Sequence, residues 1–156
     1  MTDPALRSEL DQLYARYAAC LDNGRYEEWP ELFVEEGRYV LIPRENHDRG
    51  LPLATMALES RPMMQDRVYG VLNTLFFAPY YQRHLIGPLL IEADGEKIRV
   101  EANYVVLRTK RNALSEVFST GRYLDRIVRV AGGLRFAEKL CIFDSEMIPN
   151  SVVYPI

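Results

Sequence analysis

Leu21-Asp22-Asn23-Gly24-Arg25-Tyr26-Glu27-Glu28-Trp29-Pro30-Glu31-Leu32-Phe33, with Arg38-Tyr39-Val40-Leu41-Ile42-Pro43-Arg44-Glu45 close behind it, reads as a helix end, a turn, a short second helix and a strand. Upstream of it, Asp3 and Pro4 suit an N-cap and a first helical position, where proline's missing N–H costs nothing. Leu6, Leu10, Leu13, Tyr14, Tyr17 and Leu21 then recur at spacings of three and four, the apolar stripe of an amphipathic helix. Asn23 and Gly24 tolerate the left-handed conformation that closes such a helix. Asp22, at the negative end of the helix dipole, calls for a partner. Tyr26, Trp29 and Phe33 line one face of the second helix, and Pro30 ends or kinks its first turn.

Downstream, Arg38 to Glu45 is strand-like, with Pro43 marking an edge or an end. Asn46 to Pro52 is polar and reads as an exposed loop. Ser60 and Pro62 open a third helix, with Met64, Val68, Val71, Leu72 and Leu75 on the helical period. Phe76 to Arg83 has no clear period. The second half changes rhythm: Ile86 to Ala93, Ile98 to Thr109, Glu116 to Val130 and Leu134 to Phe143 read as strands. They are separated by the turn chemistry of Asp94-Gly95, Lys110-Arg111-Asn112 and Gly132-Gly133. In the last strand Leu134, Phe136, Leu140 and Ile142 are assigned to one face, Arg135 and Lys139 to the other. Consecutive hairpins imply an antiparallel sheet. Helices followed by a meander make an α+β domain, with the N-terminal helices packed on a curved antiparallel sheet, and residues 1–156 form a single unit.

At 156 residues the chain buries about two-thirds of its unfolded surface. A net charge of −3 offers no attraction to nucleic acid or to an anionic membrane. No apolar run approaches the roughly 20 residues that span a bilayer. Met1-Thr2-Asp3-Pro4 lacks a signal peptide's basic and apolar regions, and two isolated thiols fit a reducing, cytoplasmic setting.

The opening stretch, Asp66-Arg67-Val68, Arg83-His84, Gly121-Arg122-Tyr123 with Asp125, and a closing strand ending at Asp144 follow one another in an order that resembles the small (beta) subunit of aromatic-ring-hydroxylating dioxygenases. That resemblance spans nearly the whole chain. It implies the cone-shaped fold of the nuclear-transport-factor-2 (NTF2-like) and cystatin-like group. Glu45 to Pro52 and Arg83-His84-Leu85-Ile86-Gly87 look most like the branch whose partners oxidise salicylate, anthranilate or terephthalate. The resemblance implies that this chain holds no catalytic, cofactor-binding or metal-binding residue. The Rieske 2Fe-2S cluster and the mononuclear non-haem iron would sit in a large (alpha) subunit, fed from NAD(P)H by a separate reductase, in an assembly of three large and three small subunits.

A Rieske cluster needs Cys-x-His and Cys-x-x-His pairs, whereas Cys20 and Cys141 have no histidine nearby and suit small buried hydrophobes. His47 and His84 supply two imidazoles for an iron site, but no spacing ties them to a carboxylate; His47 reads as a surface residue and His84 as bonded to a carbonyl. The competing function is a stand-alone isomerase or dehydratase using Asp66, His84, Tyr14, Tyr17 or Tyr104 as acid–base groups in the cone. A plain assembly module is the third reading, with Phe76, Phe77, Tyr80 and Tyr81 beside Arg122, Arg126, Arg129 and Arg135 as interface material. The apolar stretch from Ser151 to Ile156 is expected to dock on this domain or on a neighbour.

Overall fold

The computed structural model describes residues 1–146 and 152–156. Helix α1 runs Pro4–Asp22, capped by the Asp3 carboxylate, which accepts from the Ala5 N–H at 3.1 Å. Its buried face carries Leu10, Leu13, Tyr14, Tyr17, Cys20 and Leu21, the stripe anticipated from spacing. The expected second helix is instead two single 3-10 turns, Tyr26–Glu28 and Pro30–Leu32, broken at Trp29 where Pro30 removes a donor. Trp29 is wholly buried, edge-on to Phe33 at 5.5 Å and to Tyr39 at 5.1 Å.

Strand β1 (Phe33–Pro43) begins earlier than its sequence pattern indicates. It leads into α2 (Arg44–Asp48), a short helix where a loop was anticipated. No apolar stripe announces α2; Arg44 with Asp48 and Glu45 with Arg49 are its four-residue ion pairs, and Gly50 at φ +66° turns the chain out of it. Then come β2 (Met56–Leu58), α3 (Arg61–Asn73, capped by Ser60), β3 (Tyr80–Ile86), β4 (Leu90–Asp94), β5 (Lys97–Lys110), β6 (Glu116–Val130) and β7 (Gly133–Phe143). The stretch without a period thus enters β3. Its inward residues are Gln82 and His84, so alternation in burial does not show as alternation in hydrophobicity.

The seven strands form one sheet in the order β2-β1-β7-β6-β5-β3, with β4 also on β5. The sheet is mixed and not antiparallel throughout: β1 and β7 run parallel, from Arg38 opposite Glu138 to Pro43 opposite Phe143. The reason is topological. The chain leaves β1 through α2, β2 and α3 to the far edge, and the meander carries it back to lie beside β1 in the same direction. The two edge strands do not meet, so the sheet curls without closing. The main core, from Leu10 to Phe143, lies on the side of α1. Val40, Ile42 and Ile142 form a second small cluster on the opposite face, with Leu124 and Leu140 against it.

One irregularity decides what the last strand presents. Ile127 pairs with Phe136, but Arg126 pairs with Glu138, leaving Ala137 as an extra residue. This bulge flips the alternation that follows, because side chains on a strand switch face with each residue. Leu140 and Ile142 therefore join the outer cluster, while Lys139 and Cys141 turn inward. The assignment of Lys139 to a basic outer face is corrected by that single residue.

Gly121, in the middle of β6, lies where two backbones approach most closely. A Cβ there would sit 1.9 Å from the Ile142 carbonyl oxygen and 2.9 Å from the Phe143 Cα. Gly121→Ala is expected to destabilise by about 3 kcal/mol, the upper part of the overpacking range, since both obstacles are backbone. Thermal unfolding checks this: a Tm lowered by roughly 6–12 °C is the expected result, and a Tm within about 2 °C of the parent contradicts it.

Candidate functional site

The cone interior gathers three polar arrangements, two built by α1 with the sheet strands facing it and a third that also draws on α3. The first joins the end of α1 to β3. Asp22 accepts from the His84 backbone N–H at 2.9 Å and lies 2.5 Å from His84 Nδ1. Here is the partner that the helix dipole called for, and it replaces the carbonyl expected for His84. The His84 side chain is fully enclosed, edge-on to Tyr17, and its Nε2 has no partner among the described residues.

The second arrangement is a buried ion pair. Lys139 Nζ lies 2.8 Å from Asp125 Oδ2, both side chains without solvent exposure, and Tyr14 donates to the same carboxylate oxygen. Four rings surround the ammonium: Tyr123 at 3.6 Å, Tyr17 at 4.4 Å, Phe136 at 4.6 Å and Tyr14 at 4.8 Å from their centroids. Burial pushes the Asp125 carboxyl above its ordinary range, against the pull of Lys139 and Tyr14. Burial likewise holds the phenols of Tyr14, Tyr17 and Tyr123 well above the usual tyrosine value.

The third arrangement fills the rest of the cone with the protein's own residues 152–156. Arg67 on α3 donates to the carbonyls of Val152 and Val153 at 3.1 and 2.9 Å. Tyr154 stacks on Tyr26 at 4.8 Å, with Phe77 and Tyr80 edge-on beside it. Ile156 is 1% exposed. Its main-chain oxygen accepts from the Tyr17 hydroxyl, from the Tyr39 hydroxyl at 3.3 Å and from Cys141 Sγ at 3.5 Å, and its N–H donates to Tyr39 at 2.8 Å. The expected docking of the apolar stretch is thus onto this domain for 152–156; Ser151 lies outside the described residues.

Of the acid–base candidates, His84 meets Tyr17 edge-on and lines one cleft with Tyr14, whereas Asp66 and Tyr104 stand apart. Asp66 is exposed on α3, and its neighbour Arg67 is committed to the 152–156 carbonyls. Tyr104 bonds Ser119 at 3.1 Å, Tyr14 faces Asp125 and Tyr17 faces Ile156. His47 sits on α2, 3.3 Å from Asp48 Oδ1, remote in the chain from the His84 cluster. Cys20 and Cys141 are free and buried, each thiol pushed up to about 12, first of all by burial. Among the described residues no group of three or more His, Cys, Asp and Glu is placed to hold a metal ion. No described helix is long and apolar enough to cross a membrane. Of the aromatic tract, Phe77 and Tyr80 serve the 152–156 segment while Phe76 and Tyr81 stay exposed. Of the arginines, Arg129 pairs with Glu9 and Arg122 with Glu101.

Sequence reasoning named Asp125 and Lys139 but did not pair them, and it gave no role to Tyr39 as the partner of Ile156. A Lys among apolar neighbours on a core strand was the available signal, hidden by the bulge at Ala137.

Comparison with known proteins places this arrangement in context. The SnoaL-like domain profile matches residues 4–139. The chain is 38% identical to the small subunit of anthranilate 1,2-dioxygenase from Burkholderia cepacia, covering 95% of this chain and 92% of that one. It is 28% identical to the beta 2 subunit of the terminal oxygenase component of terephthalate 1,2-dioxygenase from a Comamonas species, over 91% and 93% of the two chains. Among solved structures, a beta subunit assigned to an aromatic-ring-hydroxylating dioxygenase of Novosphingobium aromaticivorans superposes with a TM-score of 0.89 at 36% identity, over 97% of each chain.

Proposed function

Since the chain belongs to the SnoaL-like family, among the small (beta) subunits of aromatic-ring-hydroxylating dioxygenases, we propose that it is the non-catalytic, structural small subunit of a Rieske-type oxygenase. The substrate class we assign is an aromatic carboxylate, salicylate-, anthranilate- or terephthalate-like. The observation that carries this reading is the end-to-end likeness to subunits of oxygenases for two such acids. The interior supports it physically. Among the described residues, Ile156 and tyrosines bonded to their neighbours pack the cone into a rigid unit suited to a bracing role.

In this reading the large subunit supplies the cluster and the iron, and a reductase delivers electrons from NAD(P)H in the cytoplasm. The expected assembly is three large and three small subunits. This chain's residues contribute rigidity: the Asp22–His84 pair ties α1 to β3, and the Lys139–Asp125 pair ties β7 to β6 beneath Tyr14.

The test is a pull-down of the tagged chain from its native host, followed by native mass and an absorption spectrum. A large brown complex containing a bigger iron–sulfur protein is the expected result. A colourless oligomer of this chain alone contradicts it and points to acid–base chemistry in the cone. A second prediction concerns the histidines. Replacing His47 and His84 together with alanine is expected to leave iron per assembled complex unchanged, measured by metal analysis; a clear loss of iron sinks the assignment.

A further inference from the structure

The outer face of the sheet, away from α1, carries a row of charges that the chain leaves out of balance. Ile98, Val100 and Ile127 belong to the main core and Asp125 is buried, so Arg99 on β5 and Arg126 on β6 alternate outward. The two arginines are direct cross-strand partners. Like charges placed opposite one another in a sheet destabilise it. Neither guanidinium has a hydrogen bond or an ion pair among the described residues. The neighbouring carboxylates leave the imbalance in place. Glu138, opposite Arg126, is held by Arg38 at 3.1 Å, and Glu101 is held by Arg122 at 3.5 Å. Glu92 stands opposite Arg99 but makes no ion pair with it. Two adjacent, unanswered cations thus remain on one face of a chain whose net charge is −3.

The surroundings state what kind of group answers them. Arg99 and Arg126 line one open groove of about 350 Å³ together with Leu90, Leu124 and Glu138. Leu124 faces Leu140 across β6 and β7, and both pack on the outer Val40–Ile42–Ile142 cluster, so the groove runs on into apolar surface. Along the same face Tyr81, Leu85, Leu90 and Val117 are each more than half exposed, with Gln82, His84 and Phe118 turned inward beside them. Apolar surface spread over β3, β4 and β6 is more than a small carboxylate would cover, and it marks a protein contact. Charge disfavours a second copy of this chain. A two-fold axis in the plane of the sheet and through the groove would set arginine against arginine. The missing group is a carboxylate, which guanidinium binds as a two-pronged donor.

We propose that the Arg99–Arg126 pair is the docking point for an acidic side chain of the large subunit, presented on an apolar segment that covers Leu90 and Leu124. The inference rests on the small-subunit reading above and adds where the partner sits and what chemistry it brings. The repulsion that the isolated chain bears between its two arginines is relieved on assembly. The same pair therefore favours the complex over the free subunit.

The experiment uses the full chain co-expressed with its large subunit in the native host. Four forms are compared: the parent, Arg99→Gln with Arg126→Gln, Arg99→Glu with Arg126→Glu, and a charge-matched control, Lys110→Glu with Arg111→Glu, at the β5–β6 turn. Sedimentation gives the dissociation constant of each complex, and thermal unfolding gives the stability of each isolated small subunit. The Gln pair is expected to weaken assembly at least about 10-fold, the Glu pair at least about 100-fold and the control less than about 3-fold. The salt dependence of the parent's assembly should flatten in the Gln pair. The isolated Gln variant should unfold at the parent's temperature or above, because the repulsion is gone. A lower Tm would show the arginines to be structural and overturns the proposal. A parent that captures no larger iron–sulfur partner brings down the small-subunit reading and this inference with it. A parent that captures one, while the Gln and Glu pairs assemble as it does, overturns the inference alone. So does a loss of self-association in the isolated Glu variant, which would make a second copy the occupant.

Discussion

Lys139→Met lowers the unfolding free energy by about 3–5 kcal/mol at neutral pH, because it leaves the Asp125 carboxylate buried without its counter-charge. Both side chains are fully enclosed and 2.8 Å apart, so no solvent takes over the lost interaction. The Tyr14 hydroxyl remains as a donor to Asp125, but a neutral hydrogen bond cannot replace an ion pair and four surrounding rings. The pH dependence has a definite sign. Without Lys139, the Asp125 carboxyl rises further above its unfolded value near 4. The deficit is therefore present at neutral pH and shrinks as pH falls toward about 4, where the unfolded carboxyl also binds its proton. Asp125→Leu should cost a similar amount. The double variant should recover most of the loss, since replacing a whole buried pair by apolar groups is often near neutral. Denaturant titrations of the four proteins decide it. Losses that simply add would show the two residues to be energetically independent and the argument mistaken.

Alkali is the second strong lever. Above about pH 9 the protein is expected to lose more than about 5 kcal/mol of stability by about pH 11 and to unfold cooperatively. Buried Cys141 keeps its proton up to about 12, and Tyr14, Tyr17, Tyr39 and Tyr123 are held well above the ordinary phenol range, in every case first by burial. In the unfolded chain the thiol ionises near 8.5 and the phenols near 10. The folded state therefore binds more protons than the unfolded state across this window, and stability falls with rising pH. Each such group withdraws about 1.4 kcal/mol per pH unit once its unfolded form ionises. The contribution is complete below about pH 8.5 and disappears as pH climbs toward the folded-state values. Near-UV tyrosinate absorbance should appear in one step, together with the loss of far-UV dichroism. Gradual ionisation near pH 10 in a protein that stays folded would contradict this picture.

The legible parts of the chain were those where burial and hydrophobicity coincide. The stripe of α1 and the alternation of β5 and β6 are written in apolar residues, and Asp3, Ser60, Gly24 and Gly95 punctuate them with ordinary cap and turn chemistry. Element recognition failed where polar residues face inward. Gln82 and His84 hide β3, and α2 carries charge pairs but no apolar stripe. Site reasoning failed for a different cause. Registering a strand by alternation assumes no extra residue, and Ala137 violates that assumption just before Lys139. Asp22, by contrast, was readable, because a carboxylate at a helix C-terminus is unfavourable unless something compensates it; His84 does.

The parallel pairing of β1 with β7 also sets a timetable. Arg38 and Glu138 lie a hundred positions apart, yet they are neighbours in the middle of the sheet. At synthesis rates of about 5–20 residues per second, β1 leaves the ribosome roughly 5–20 s before its central partner does. During that interval only three-residue β2 is available to it, and the edge destined for β7 stays open. Contacts this distant in the chain also slow folding after release, because loop closure must precede their reward. The nascent chain is thus most vulnerable to aggregation before its last long strand emerges, when a chaperone that shields strand edges would most improve its yield.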